Sequence, residues 1–594
     1  MNKPNVILVL TDDQGYGDLG CHGNPVIQTP EIDAFYRESL RFTNFHVGPT
    51  CAPSRSMLMT GHHANSTGVW HTIGGRSLLR RNEWSLASAF REAGYDTSLF
   101  GKWHLGDNYP YRPQDRGFNK VVMHGGGGIS QVSDWWGNDY FDDTYLEDGI
   151  PRKFEGYCTD VWFGEALRHI KKVKDNPFLC CITVNAPHEP YNVDNRYADP
   201  YRYSVPEDRA RFYGMISNID ENFGFLRRKL DELDLTDNTI LIFMTDNGSS
   251  CGCTLDENQF VSEGFNAGMR GRKCSEYEGG HRVPFFMNWP AGVIDKGRDE
   301  DVLASAVDFM PTLLDLCGID IPVGRGFHGS SLKPVIRGDG SGFSERFLVT
   351  DSQRITHPEK WRLSSVMSRR WRLINGRELY DIQRDTEQRN DLSDEYPDIV
   401  ETHRQAYEEW WALVSTRFGE TIPIDILKDT PVKLCCHDWR NEESHAPYQQ
   451  NHIREGLISN GYWEIDVLFK GLYRFDLYRW PRESSIRIRS GIDGDDVEFR
   501  RDAIDKKEWK YYTGGHSLPV STARIRIGSY DQTVSVSSDD LAASFILDLP
   551  AGETVVQTWF YTESDDSYQY KRLSDEESRK FVRGAYYVYV TSVD

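Results

Sequence analysis

Two stretches decide the fold: Val6-Ile7-Leu8-Val9-Leu10, which runs through Thr11 into Asp12-Asp13, and Thr239-Ile240-Leu241-Ile242-Phe243-Met244, which runs through Thr245 into Asp246-Asn247. Both are continuous apolar runs rather than alternating ones. A strand apolar on both faces needs cover on both faces, which places it inside a mostly parallel sheet with helices on either side. Runs 97–100 and 178–184 have the same character. Amphipathic segments at 31–40, 85–93, 158–173, 208–230 and 307–316 supply the helices. Residues 1–325 therefore read as an α/β domain with a mostly parallel central sheet sandwiched by helices.

Beyond it the pattern shifts twice. Residues 326–425 hold short strand candidates at 371–374 and 378–380 and one helix near 399–416, which predicts a small α+β subdomain. From 426 to 594, runs at 486–489, 523–527, 555–561 and 585–590 are separated by Gly, Pro, Asp and Ser clusters, which predicts an antiparallel β-sandwich. The acidic stretch 574–577 reads as a solvated face.

The chain has 594 residues, a formal charge of −22, 39% hydrophobic and 13% aromatic residues. The acidic balance argues against a nucleic-acid-binding protein, and the apolar content against disorder. No run approaches the roughly 18 apolar residues of a membrane span. The five apolar residues at 6–10 are too few for a signal-peptide core. Eleven scattered cysteines, including Cys180-Cys181 and Cys435-Cys436, do not form a disulfide framework. These features point to free thiols and a cytoplasmic protein, or to a periplasmic or secreted one whose export signal has been removed.

The chemistry starts at the ends of the two deciding strands. Ligands of open α/β sheets sit beyond the carboxyl ends of the strands. Asp12, Asp13, Asp246 and Asn247 could meet there as an all-oxygen shell, which suits Ca²⁺ or Mg²⁺ better than Zn²⁺. Either pair alone could equally cap a following turn.

A second constellation is Cys51-Ala52-Pro53-Ser54-Arg55-Ser56-Met57-Leu58-Met59-Thr60-Gly61. It resembles the activation motif of the type I, formylglycine-dependent sulfatases (arylsulfatases of the alkaline phosphatase superfamily) at every constrained position. Gly94–His104 is similar to the second motif of that family, departing at Phe100 but keeping Lys102 and His104. Pro187-His188-Glu189-Pro190, Gly271-Arg272-Lys273 with Glu278–Pro284, and Glu378-Leu379-Tyr380-Asp381 look like later segments of the family. The resemblance covers roughly residues 5–425; residues 426–594 match no particular family by eye.

The resemblance implies an alkaline phosphatase-like fold and a sulfuric ester hydrolase. A formylglycine-generating maturation enzyme would oxidise Cys51 to an aldehyde. Asp12, Asp13, Asp246, Asn247 and the modified Cys51 would hold the metal, Ca²⁺ or alternatively Mg²⁺. Arg55 would orient the hydrated aldehyde, and Lys102 and Lys273 would clamp sulfate oxygens. His188, helped by Lys273, would protonate the leaving oxygen, and His104 would act on the second hydroxyl during release. A geminal diol suits this chemistry: one hydroxyl attacks sulfur, and loss of the proton from the other expels sulfate and restores the aldehyde.

The expected substrate is a sulfated saccharide. A phosphonate or phosphate ester hydrolase of the same superfamily, or an inactive sugar-binding relative, are the alternatives. Trp135-Trp136 and the terminal tryptophans Trp439, Trp463, Trp480, Trp509 and Trp559 could stack on sugars or fill cores. His62, His63, His71 and His124 receive no role. Residues 41–120 hold ten Lys/Arg against five Asp/Glu, so the acidic chain is locally basic around Cys51 and suits a pocket for one sulfate and its sugar.

Overall fold

A computed structural model describes residues 3–294, 296–338, 343, 345–441, 446–495, 513–562 and 582–593. Its largest sheet has ten strands. The middle is parallel: Thr239–Thr245, Asn5–Thr11, Phe178–Thr183, Asp96–Lys102 and Lys120–His124 lie side by side in that order. Antiparallel strands close both margins, with Phe285–Asn288 beside Thr239–Thr245 and Thr144–Glu147 beside Lys120–His124. The apolar runs explain this directly. Val6, Leu8 and Leu10 face one core and Ile7 and Val9 the other, all at 0% exposure. Helices Cys51–Thr60, Leu86–Glu92 and Phe309–Cys317 cover the first face; Pro30–Glu38, Cys158–Val173 and Glu207–Glu232 cover the second. Each such aliphatic side chain contributes about 1.5–3 kcal/mol on burial.

The predicted helix 31–40 stops at Glu38, because Leu40 is taken by the strand Leu40–Phe42, which pairs with Phe285–Asn288 and Arg298–Glu300. The predicted helix 307–316 begins as a three-residue 3-10 turn, Ala306–Asp308, where Ser305 and Asp308 form a reciprocal capping box. All eleven cysteines are free, and Cys180 and Cys181 are buried in their strand.

A four-stranded antiparallel sheet, Leu348–Asp351, Ser364–Met367, Trp371–Ile374 and Glu378–Asp381, packs against helix Pro397–Val414. Val366, Leu373 and Leu379 meet Tyr407 and Val414 in its core. Further along, a six-stranded and a four-stranded sheet share one core, in which Trp463, Ile465, Phe475, Ile525 and Val588 are fully or almost fully buried. The predicted strand at 486–489 is absent. Ile488 enters the core, but its N–H donates to the Asp540 carbonyl at 2.9 Å and the segment turns instead of pairing. The 574–577 stretch and Trp509 lie outside the described residues. Among the described residues no helix is long and apolar enough to cross a membrane.

Candidate active site

The site lies where the parallel strands end. Strand Asn5–Thr11 delivers Asp12 and Asp13, and its neighbour Thr239–Thr245 delivers Asp246 and Asn247. Carboxylate oxygens of Asp12, Asp13 and Asp246 lie within 4.8 Å of one another. Asp13 has φ 68°, an uncommon value for a non-glycine, and its N–H donates to Asp246 Oδ1 at 3.3 Å. The adjacent strand Asp96–Lys102 ends in Lys102, whose Nζ donates to Asp12 Oδ2 at 2.7 Å with both side chains at 0% exposure. Gly101 is required just before it: a Cβ there would fall 2.1 Å from the Thr183 carbonyl oxygen.

Cys51 opens a helix that is buried along its whole length and ends at Gly61, in the left-handed conformation. One turn later Arg55 donates from Nε to Asp246 Oδ2 at 2.9 Å and from Nη1 to the Lys102 carbonyl at 2.9 Å. Cys51 Sγ stands 3.3 Å from His104 Nδ1, and His104 Nε2 is 2.8 Å from the Thr72 carbonyl. That carbonyl needs a donor, so Nε2 carries the ring proton and Nδ1 is left as acceptor towards residue 51.

Lys273 Nζ donates to Asp13 Oδ2 at 2.6 Å, and His188 Nε2 lies 3.7 Å from the same oxygen. The Lys273 side chain is 20% exposed and His188 12%, whereas Lys102, Asp12 and Asp246 are sealed. The pocket therefore opens on the Lys273 and His188 side. The glycine run 125–128 lines it: a Cβ on Gly127 would meet the His104 ring at 2.3 Å, and Gly128 lies against His188. Every residue singled out for catalysis or metal binding comes into this one cluster.

The electrostatics are those of crowded charge. Burial raises Asp12, against the pull of Lys102. Asp246 is pushed up to about 6 by burial and by Asp12, with Arg55 opposing. Burial also acts against the charge of Asp13, but Lys273, His188 and Lys102 outweigh it and hold this carboxyl well below its ordinary value. Burial pushes the Cys51 thiol up, so the unmodified side chain is a poor thiolate. Burial and Lys273 bring His188 down to about 4, although Asp13 opposes them. His104 is lowered by burial, Lys102 and His437.

Two oxygens in this cluster, Asp12 Oδ1 and Asn247 Oδ1, are buried with no hydrogen-bond partner. Asn247 donates through Nδ2 to Asp13 Oδ1 at 2.9 Å, which fixes its amide. Unpartnered oxygens among three carboxylates fit a hard divalent cation. A second cluster, His46, Glu278 and His281, also brings three metal-capable groups within 4.8 Å. There Arg372 already donates to Glu278 Oε1 at 2.6 Å.

Of the histidines without a role, His124 ends strand Lys120–His124 beside Lys102, and His63 stacks on His328. Trp136 packs edge-on against Trp480, and Trp439, Trp463 and Trp480 are buried, so these four fill cores. Trp559 lies under Arg524 and Arg526. Sequence reasoning missed Arg354 and Tyr448, which approach this pocket from distant segments and carry no local motif.

An α/β sheet with a carboxylate cluster, a buried cysteine and opposed cations at its strand ends defines the class. The Sulfatase family model matches residues 4–319, and the model of the N-sulphoglucosamine sulphohydrolase C-terminal region matches 272–410. The chain belongs to the sulfatase family. It is 30% identical over 380 residues to an arylsulfatase of Hemicentrotus pulcherrimus, covering 58% of this chain and 64% of that one. It is also 30% identical over 360 residues to N-acetylgalactosamine-6-sulfatase of Homo sapiens, covering 56% and 66%. The chain thus spans just under two thirds of the length of these relatives. Among solved structures it resembles Ps i-CgsB in complex with k-i-k-neocarrahexaose, with TM-score 0.61, 24% identity, and 70% of this chain and 98% of that one covered. A structure in complex with its substrate D-glucosamine-2-N,6-O-disulfate gives TM-score 0.57 at 20% identity, covering 70% and 98%. Both likenesses establish the fold.

Proposed function

We propose that this protein hydrolyses a sulfate ester on a carbohydrate, with Cys51 acting after a maturation enzyme has oxidised its CH₂SH group to an aldehyde. One observation carries the reading. The residue that opens the buried helix faces His104 at 3.3 Å, while Arg55, Lys102 and Lys273 each sit on one of three clustered aspartates. The names of the relatives, which include a galactosamine sulfatase, a protein solved with a neocarrahexaose and one solved with a glucosamine disulfate, favour a saccharide.

Asp12, Asp13, Asp246 and Asn247, with residue 51, would hold a divalent ion, Ca²⁺ before Mg²⁺ on their all-oxygen chemistry. Such an ion supplies Lewis-acid charge and favours the ionised form of an oxygen nucleophile. The other steps belong to the chain. Arg55 orients the hydrated side chain of residue 51. Each lysine ammonium has three N–H donors and uses one on its aspartate, so two remain for sulfate oxygens. A hydroxyl of residue 51, in its ionised form, forms a bond to sulfur as the bond from sulfur to the sugar oxygen breaks, and that oxygen takes its proton from His188 helped by the Lys273 ammonium. His104 Nδ1 then takes the proton of the second hydroxyl, the bond to the sulfated oxygen breaks, and the aldehyde returns. The eleven free thiols suit a reducing compartment.

Turnover of a sulfate ester should be compared with that of the matching phosphonate and phosphate diester. Faster cleavage of either phosphorus ester would replace the sulfatase reading. Mass spectrometry of the Cys51 peptide after co-expression with a maturation enzyme should show sulfur and two hydrogens exchanged for one oxygen. Cys51→Ala should lower kcat by at least about 10⁴-fold while the protein still binds substrate, by analogy with other nucleophile deletions. Retained activity would refute the assigned nucleophile.

A further inference from the structure

Three cations of the pocket, Arg55, Lys102 and Lys273, are each matched to a carboxylate, and a fourth has no carboxylate partner among the described residues. Arg354 follows strand Leu348–Asp351 of the small subdomain, and its side chain is exposed. Its Nη1 donates to Cys274 Sγ at 3.1 Å. Cys274 adjoins Lys273, and its N–H donates to the Pro49 carbonyl at 2.8 Å, two residues before Cys51. The guanidinium is therefore tethered at the rim that joins the two sides of the pocket. Its charge is felt by Cys51 and by Tyr448. Among the described residues, no carboxylate lies within 4.0 Å of it.

Tyr448 reaches the same rim from the terminal β module. The Val132 N–H donates to its carbonyl at 3.0 Å, Gln131 and Gln449 form a β-bridge, and the Gln450 N–H donates to the Ser130 carbonyl at 3.0 Å. These bonds fasten the Tyr448 segment to the loop whose glycines lie against His104 and His188. The Tyr448 side chain is half-buried, packs edge-on against His452, and lies within electrostatic reach of Glu189, Arg354 and Lys273. Glu189 follows His188, is exposed, and has no cationic partner within 4.0 Å among the described residues.

We infer that Arg354, Tyr448 and Glu189 form the subsite for the sugar, and that Arg354 binds a second oxyanion on the saccharide that bears the scissile sulfate. This rests on the sulfatase reading. A guanidinium presents a planar fork that pairs bidentately with a carboxylate or a sulfate. A phenol offers a flat apolar face with a polar tip, as a sugar ring requires. Glu189 can accept from sugar hydroxyls, and its charge confines the second anion to the Arg354 side. The substrate class is thus a sulfated sugar with one more acidic group, either a carboxylate or a second sulfate.

The test uses the full, matured chain and four substrates: an aryl sulfate, a monosulfated neutral sugar, and the same sugar with either a second sulfate or a carboxylate. The wild type should favour one of the two dianionic sugars over the neutral one by about tenfold or more in kcat/KM, and the favoured one identifies the anion. In Arg354→Gln that preference should collapse through KM, and Arg354→Lys, which keeps the charge but loses the fork, should restore part of it. Tyr448→Ala should raise KM for the sugars more than for the aryl sulfate. A wild type without the preference, or an Arg354→Gln loss equal on neutral and dianionic sugars, overturns the inference while leaving the sulfatase reading intact. Failure of the wild type to release sulfate from any of the four, the aryl sulfate included, overturns the sulfatase reading and this inference with it.

Discussion

Asp12, Asp13 and Asp246 at the strand ends, and His46, Glu278 and His281 near the small subdomain, are both buried groups of three metal-capable side chains. They differ in what surrounds them. In the first, like charges crowd together, Asp246 is pushed up to about 6 by burial and Asp12, and Asp12 Oδ1 and Asn247 Oδ1 have no partner. Arg55, Lys102 and Lys273 face those three aspartates, whereas in the second cluster a buried arginine is matched to the one carboxylate. Arg372, at 0% exposure, donates to Glu278 Oε1 at 2.6 Å and to Asn44 Oδ1 at 2.9 Å. His46 Nδ1 is 2.9 Å from His281 Nδ1, its Nε2 is 2.8 Å from Asn44 Oδ1, and His281 Nε2 is 3.1 Å from the Glu276 carbonyl. Spacing does not distinguish the two clusters, and each has a buried unpartnered oxygen, Glu278 Oε2 in the second; donor type does, three carboxylates against two imidazoles and one carboxylate.

The largest effect that could break this comparison is on metal binding. Calorimetric titration of the full chain with Ca²⁺ should show one site. Asp12→Asn should weaken it by at least about 100-fold, because it removes a charged ligand where even indirect supports are worth 10–100-fold. His46→Ala should change the affinity by less than about threefold. If His46→Ala abolished binding and Asp12→Asn did not, the two clusters would have to exchange roles.

The next effect is on stability. Glu278→Gln leaves Arg372 as a buried charge without its counter-ion, and it also removes the Arg282 contact of Glu278 at 3.6 Å. Removing one partner of such a pair typically costs about 3–5 kcal/mol. Denaturant unfolding at neutral pH should show a loss of that order, with the response to Ca²⁺ retained. A loss below about 1 kcal/mol, the value of an exposed pair, would mean that the cluster is solvated.

How much of this was legible in the sequence follows from how each residue reaches its place. Asp12, Asp13, Asp246 and Asn247 follow apolar runs that can only be central strands, so the topology alone brings them together. Cys51 and Arg55 share one helix and are read from local spacing. Arg354, Tyr448 and Arg372 arrive by packing between segments 80 or more residues from their partners Cys274, Val132 and Glu278, and nothing in their immediate neighbourhood marks them. The segment 486–489 alternates like a strand, yet Ile488 is held by Asp540 in a turn, because alternation reports one buried face and not the presence of a pairing edge.

The smallest effect is the acid response of the second cluster. Burial is the main cause that brings His281 down to about 4, with Arg372 adding to it and Glu278 opposing. Burial acts against the charge of Glu278, but Arg372, His46 and Arg282 outweigh it and hold its carboxyl well below the ordinary range. Both groups bind a proton more readily in the unfolded chain, so both contributions are present at high pH and are lost on acidification. For His281 the loss begins below the unfolded value of about 6.5 and runs towards 4; for Glu278 it begins only below about 4.3. Each group gives at most about 1.4 kcal/mol per pH unit within its window. His281→Asn should therefore flatten the stability profile between about pH 6.5 and 4. Glu278→Gln should leave that part in place, and its penalty should shrink only below about pH 4.3, as the wild-type carboxyl takes up its proton. Denaturant unfolding of wild type and both variants at a series of pH values measures this. A Glu278→Gln penalty that stays constant from pH 6 down to the acid transition would show that the Arg372 pairing does not lower this carboxyl, and the contrast with the crowded aspartates would then rest on donor type alone.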